Sequence, residues 1–328
     1  VTRLPFPLLI GALTAVVAVL AVLSLTAGRV WVPWSAWASP AEDPRWAIVF
    51  ELRAPRTVLG VLVGAALGAS GAALQGYTRN PLADPGVLGV SSMAALGGVL
   101  SLYFGLTVAS PWILPTLAIG GAALGVVLLL LLAGSTSSVV TFVLAGVVLQ
   151  TVATAATALA LNLAPTPWAV NEIVNWLMGA LADRSVEELR LAAPFILAGL
   201  ALLVTTSRGL DALTLGEAGA TSLGVDLRMV RLTLTVAVAL AVGASVAVTG
   251  VIGFVGLIVP HLVRPLVGAR PGALLVPSAL AGAVLVLGAD ILVRLTPSAA
   301  EVKLGVAMAA LGGPFFLLLL IRQRRRLA

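Results

Sequence analysis

The chain has 328 residues, 60% of them hydrophobic and only 10% charged, with a mean hydropathy of +1.13; a soluble domain carries about 25% charged residues, so an ordinary soluble fold is excluded. The lack of cysteine excludes disulfides, thiolate metal sites and a thiol nucleophile, and a lone His261 excludes a site built from several imidazoles. The net charge of +6 does not indicate nucleic acid, because the basic residues are nearly all Arg, scattered singly except for the C-terminal RQRRR.

Crossing the hydrocarbon core takes about 20 apolar residues per helix. With charges, prolines and glycines as punctuation, the sequence predicts ten spans: 7–27, 55–77, 87–105, 112–133, 139–161, 189–206, 227–249, 253–268, 273–293 and 302–321. The first run, Pro7 to Gly28, resembles a signal peptide but is long for one, and many equally apolar segments follow, so it reads as a transmembrane helix. In the second span Gly60, Gly64 and Gly68 recur every four residues, a smooth stripe that lets helices pack closely in lipid and predicts a buried helix.

Between the second and third spans lies TRNPLADPGVLGVSS, Thr78 to Ser92. Pro81, Pro85 and Gly86 interrupt the helix there, and irregular backbone at such depth is tolerated only where it lines water or protein. Asp84 would be a poor lipid-facing residue. The eighth span is short and broken by Pro260.

Polar residues within spans are costly and mark interior contacts or a pathway; Gln75, Gln150, Asn162 and Asp290 stand out. Few fixed charges suit a bulky, partly apolar cargo better than a bare ion. Asp290 reads equally as an interhelical hydrogen-bonding residue, and it is the one clear acid that a proton-driven carrier would use.

Ten spans with both termini in the cytoplasm put Arg3, Arg79, Arg208, Arg228, Arg231, Arg264, Arg270, Arg322, Arg324, Arg325 and Arg326 inside. Outside fall Arg29, Arg45, Arg53, Arg56, Arg184, Arg190, Arg294 and Lys303, a weak form of the positive-inside bias. Arg53, Arg56 and Arg294 then cluster at the outer face, either snorkelling to headgroups or forming a docking rim for an acidic partner.

Some chemistry is missing. No GxxxxGK[ST] phosphate cradle is present, and the nearest stretch, GEAGATS at Gly216 to Ser222, has no Lys. Any use of ATP would fall to another chain. GASG at Gly68 to Gly71 matches the GxSG pattern of rhomboid-type intramembrane serine proteases, with His261 as base, but Ser70 falls mid-helix on a small-residue surface. HExxH is absent as well.

Four stretches together resemble one family: LRAPRTVLGVLVGAALGASGAALQGYTRNPLADPGVLGVSS (52–92), NWLMGAL (175–181), LTLGEAGATSLGVD (213–226), and GFVGLIVPHLVRPLVG (253–268) with AEVKLGVAMAALGGPFF (300–316). The chain is similar to the FecCD family, permease subunits of type II ATP-binding cassette importers for cobalamin, haem and ferric siderophores. The resemblance implies an all-α polytopic membrane protein of about ten helices, with residues 1–328 forming one permease domain in the bacterial inner membrane. It implies as partners a second copy of the chain, two ATP-binding cassette subunits that bind ATP and Mg, and a periplasmic substrate-binding protein. No catalytic residue, metal or cofactor is implied in the chain itself.

Residue by residue, the resemblance makes Asn80 and Leu82 gate residues at the inner end of the pathway, with Thr136 and Ser137 as a second constriction. It makes 213–225, within a coupling segment of about 210–225, the contact with the ATPase. There Leu215 and Leu223 would be buried in the partner, Gly216 and Ala220 would allow close approach, and Glu217 would pair with a basic residue. Thr221 and the Ala218-Gly219 pair depart from the bulkier or basic residues of many relatives. Arg53, Arg56 and Arg294 match positions that meet carboxylates of the binding protein, which complementary charge would steer and orient. Haem is the expected cargo, as a flat apolar ring whose propionates suit arginines at the mouth; a ferric siderophore or cobalamin is the alternative. His261 belongs to the PHLVR block whatever the cargo.

Overall fold

The computed structural model describes residues 5–28, 30–38, 43–134, 138–268, 270–296 and 301–327, with 320 and 322–327 as backbone only. Ten apolar helices dominate it, numbered here α1 Phe6–Thr26, α2 Ile48–Thr78, α3 Val90–Tyr103, α4 Ile113–Ala133, α5 Val139–Asn162, α6 Val186–Thr205, α7 Leu227–Thr249, α8 Val255–Val267, α9 Pro271–Leu295 and α10 Leu304–Leu327. Seven are long and apolar enough to cross a membrane, while α3, α8 and the apolar part of α10 are shorter. Every predicted span has its helix, displaced by a few residues at most ends. A π-helical turn, Ile48–Arg53, opens α2, and a second, Ala239–Gly243, interrupts α7.

Local chemistry sets the helix ends. Ser138 caps α5 by accepting from the Thr141 N–H, Ser185 and Glu188 form a capping box on α6, and Asp226 accepts from the first N–H groups of α7. α2 ends just ahead of the first loop proline, Pro81. The helix continues to Thr78, and Arg79 stops it in the left-handed region at φ 52°. The next residue, Asn80, precedes Pro81 and is disfavoured from helical geometry.

Because lipid-facing and protein-facing sides are both apolar, close packing decides which helices are central. The stripe Gly60, Gly64, Gly68 of α2 lies against α9: a Cβ at Gly64 would collide with the Gly282 carbonyl, and one at Gly68 with the Ser278 carbonyl. Further along, Gly71 meets the backbone of Gly256 in α8. Most of α2 from Leu59 to Tyr77 is consequently buried, with α9, α8, α6 and α1 packed around it.

The helices run up and down between two ends. At one, called the arginine end, Arg56 of α2 meets Asp290 and Arg294 near the end of α9. At the other, the loop end, lie Thr78 to Gly89 and the short helices Ser207–Ala212 and Gly216–Ser222.

Candidate functional site

A cavity of about 340 Å³ lies between α2, α3, α5, α7 and α8 and reaches the Thr78–Gly89 loop. Its wall is apolar at Val63, Leu67, Val242 and Ile252, and hydroxylated at Ser91, Ser92, Thr154, Thr157, Ser245 and Thr249, with Gln150 and Asp84 added. Thr157, Ser245 and Thr249 donate to carbonyls of their own helices four residues back. Their hydroxyl hydrogens are thereby committed while the oxygens can still accept. The sequence reading singled out Gln150 but not these hydroxyls, although Thr154 with Thr157 and Ser245 with Thr249 have the spacing that puts residues on one helix face.

The loop is an ordered structure seated on α5. The Asn80 side chain accepts from the Leu82 N–H at 2.9 Å, and the Asp84 side chain accepts from the Gly86 N–H at 2.9 Å, starting the 3₁₀ turn Pro85–Leu88. Gly89, at φ 73°, leaves no room for a Cβ against Gly146 and Gln150. The loop residues that reach the cavity are Asp84, Pro85 and Gly86; Asn80 and Leu82 are exposed and are not among its lining. Burial pushes the Asp84 carboxyl up, against the lowering effect of the Gly86 N–H. Thr136 and Ser137 fall outside the described residues.

In the segment 213–225, where contact with an ATPase is expected, Leu215 and Leu223 are 66% and 64% exposed. Gly216 takes φ 86° where the chain turns into the short helix, and Ala220 is buried within the chain. Glu217 differs from expectation in accepting from the Val139 N–H of this same chain at 3.3 Å. Its carboxylate thus sits at the N-terminus of α5, where the helix dipole favours negative charge. Behind the segment Arg231 is buried, donating to the Tyr77 hydroxyl at 3.1 Å and the Gly134 carbonyl at 3.3 Å, and lying over the Phe142 ring.

At the arginine end all three expected docking residues point inward. Arg53 donates to the carbonyls of Leu25, Thr26 and Val30, and Arg294 to those of Ser24 and Ala27 and to the Ser24 hydroxyl. These two guanidiniums fasten the end of α1, whose carbonyls have no helical partner. Asp290, fully buried, accepts from Arg56 at 2.8 Å and pairs with Arg294 at 3.0 Å. The side of Arg56 away from Asp290 meets the exposed carboxylate of Glu301. An open rim of charge is therefore not what the geometry presents, and Asp290 is the interhelical partner that one of its two readings anticipated.

A second pocket, of about 530 Å³, adjoins the cavity through Thr249 and is lined by Trp168, Asn171, Glu172, Asn175, Trp176, Arg184 and Lys303 among others. Trp168 and Trp176 belong to the amphipathic helix Pro167–Leu177, an element that the ten-span reading left in a connection. Ser70 is fully buried with no hydrogen-bond partner among the described residues, so the imidazole of His261 does not activate it, and that ring packs edge-on against Phe315. The protease reading fails on that geometry. No group of three or more potential metal ligands occurs among the described residues.

Comparison with known proteins agrees with this architecture. The model of the FecCD transport family matches residues 15–322. The hemin transport system permease protein of Yersinia pestis is 38% identical over 300 residues, covering 88% of each chain. The vitamin B12 import system permease protein of Klebsiella pneumoniae is 39% identical, covering 91% of this chain and 89% of that one. The Fe(3+) dicitrate transport system permease protein of Escherichia coli is also 39% identical, over 90% of this chain and 93% of its own. A metal-chelate type ABC transporter solved in an inward-facing conformation superposes with a TM-score of 0.85 at 33% identity, over 97% of this chain and 99% of that one. With its apolar helices and hydroxyl-lined cavity, the chain belongs to the FecCD transport family and is a multi-span ABC importer permease, not itself an enzyme.

Proposed function

We propose that two copies of this chain form the membrane pathway of an importer that carries haem, or a related iron chelate, into the cytoplasm by alternating access. The arginine end faces outward and receives a substrate-binding protein; the loop end and both termini face the cytoplasm of a bacterial inner membrane. Two ATP-binding cassette subunits, which hold ATP and Mg, seat against the exposed Leu215 and Leu223.

The observation that carries this reading is the bond from the Val139 N–H to Glu217. It ties the coupling segment to the first turn of α5, the helix that brings Gln150, Thr154 and Thr157 to the cavity. Movement of an ATPase under the segment is thus passed along a rigid helix to the cavity wall. The loop bearing Asn80 and Leu82, with Thr136 and Ser137 just ahead of α5 as a second constriction, closes the inner end. Cargo is held loosely, by hydroxyls and apolar contacts, so that it leaves as readily as it enters.

The choice of haem is supported by the second pocket, where Trp168 and Trp176 stand beside Arg184 and Lys303. Aromatic faces suit a flat ring, and the two cations suit its propionates. The docking charge falls to Arg56, while Arg53 and Arg294 shape the surface around it.

The test is uptake into proteoliposomes containing the complete importer, with haem, a ferric siderophore and cobalamin in competition. Haem should be taken up preferentially; uptake of either rival in its place overturns the cargo and leaves the permease reading intact. Glu217→Ala should leave the ATPase bound while lowering transport per ATP hydrolysed. Unchanged coupling overturns the transmission path.

A further inference from the structure

Arg56 carries two carboxylates of unequal standing. Asp290 is fully buried, shared with Arg294, and bonded to the Nε and Nη2 of Arg56 at 2.8–3.1 Å. Glu301 meets the Nη1 and Nη2 groups of the same guanidinium, and its side chain is 36% exposed. The buried bond is costly to break because it would strand charge away from water, whereas an exposed pair contributes little and exchanges readily. Arg56 therefore presents to solvent a single carboxylate-binding edge, already filled from within the chain.

What Glu301 is attached to gives this a consequence. Its described polar contacts all go to Arg56, and residues 301–303 run without regular structure into α10. The first turn of α10 is tied to the cavity wall: the Gly305 N–H donates to the Gly179 carbonyl at 3.0 Å, and Gly305 has no room for a side chain against Met178 and Val251. Val251 lines the cavity, and Lys303 lines the pocket beyond it.

We propose that Glu301 is a built-in stand-in for the partner: an acidic side chain of the docking protein displaces it from Arg56, so that docking and the loosening of the α10 start against Gly179 and Val251 are one event. The inference rests on the docking reading above and adds the competitor and its release. Asp290 keeps Arg56 in place during the exchange, so the site is preorganised for the incoming carboxylate. The partner it fits carries an exposed Asp or Glu at its contact surface.

The test uses the permease with its ATPase in nanodiscs and measures the affinity of the substrate-binding protein. Glu301→Gln should tighten binding about two- to fivefold, as expected for removing an exposed competing pair. Arg56→Gln should weaken binding about tenfold or more, and in that background Glu301→Gln should give no gain. If Glu301→Gln gives no gain while Arg56→Gln weakens binding, exchange is wrong and docking stands; if Arg56→Gln changes nothing, docking itself fails. A gain that persists without Arg56 also overturns the exchange.

Because the native chain has no cysteine, Val302→Cys supplies a single label site that leaves both carboxylates in place and serves even if Arg56→Gln does not fold. Its maleimide reaction rate should rise when the binding protein docks. An unchanged rate in the presence of saturating binding protein overturns the release.

Discussion

At the arginine end of α2, Arg56 is held by the carboxylates of Asp290 and Glu301, from α9 and from the approach to α10. At the loop end of the same helix, Tyr77 accepts from Arg231, Gln75 accepts from Arg264 at 2.8 Å, and Arg79 turns the chain through a left-handed conformation into the Asn80 and Asp84 side-chain turns. Within the first set, Asp290 joins opposite charges in a buried place, and breaking that costs about 3–5 kcal/mol, whereas the exposed Glu301 adds little. The second includes bonds from guanidiniums to neutral acceptors and from backbone to nearby side chains, contacts of about 1–2 kcal/mol each. One helix is thus anchored firmly at its arginine end and lightly at its loop end.

The largest expected effect comes from Asp290→Asn, which leaves two buried guanidiniums without their carboxylate. Stability should fall by about 3–5 kcal/mol, read as the unfolding midpoint in detergent, and an unchanged midpoint would remove the contrast between the ends. Gly68→Ala, midway along α2, forces a methyl group against the Ser278 carbonyl and should cost about 1–3 kcal/mol. A neutral outcome would mean that α2 and α9 separate easily.

At the loop end Tyr77→Phe removes one acceptor from Arg231. The expected loss is about 1–2 kcal/mol, with a greater change in transport rate than in unfolding midpoint; the reverse pattern would make this contact as structural as those of Asp290. The smallest effect belongs to Asp84. Burial raises its carboxyl above the ordinary range, so the folded chain holds the proton more tightly than the unfolded chain. That contribution is complete below the ordinary carboxylate value and is lost as pH rises through the raised folded one. Asp84→Asn should flatten the fall in stability on the alkaline side of the ordinary carboxylate range, and an identical pH profile in both proteins would show that Asp84 does not titrate there.

The same division explains what the sequence disclosed. Ten spans were legible because lipid demands long apolar runs, and the glycine stripe of α2 because close approach demands small residues at helical spacing. The interruption at Pro81 and Pro85 was legible too. Its stop at Arg79 was not, because a left-handed arginine has no compositional signature. Asp290 stayed ambiguous since Arg56 is 234 residues away in sequence, and the inward aim of Arg53 and Arg294 depends on carbonyls of α1 that any sequence would supply. The family resemblance singled out 213–225 for contact with an ATPase, but only the fold joins Glu217 to Val139.

Where α2 crosses α9, the gap that side chains would normally fill holds only the Gly64, Gly282 and Ser278 main chain. Such a seam has no rotamers to reshuffle, so neither helix can roll or slip past the other without main-chain atoms colliding. The pair forms a keel, extended by α8 through the Gly71–Gly256 contact, and a change of shape during the transport cycle falls to helices outside that seam, α5 and α10 among them.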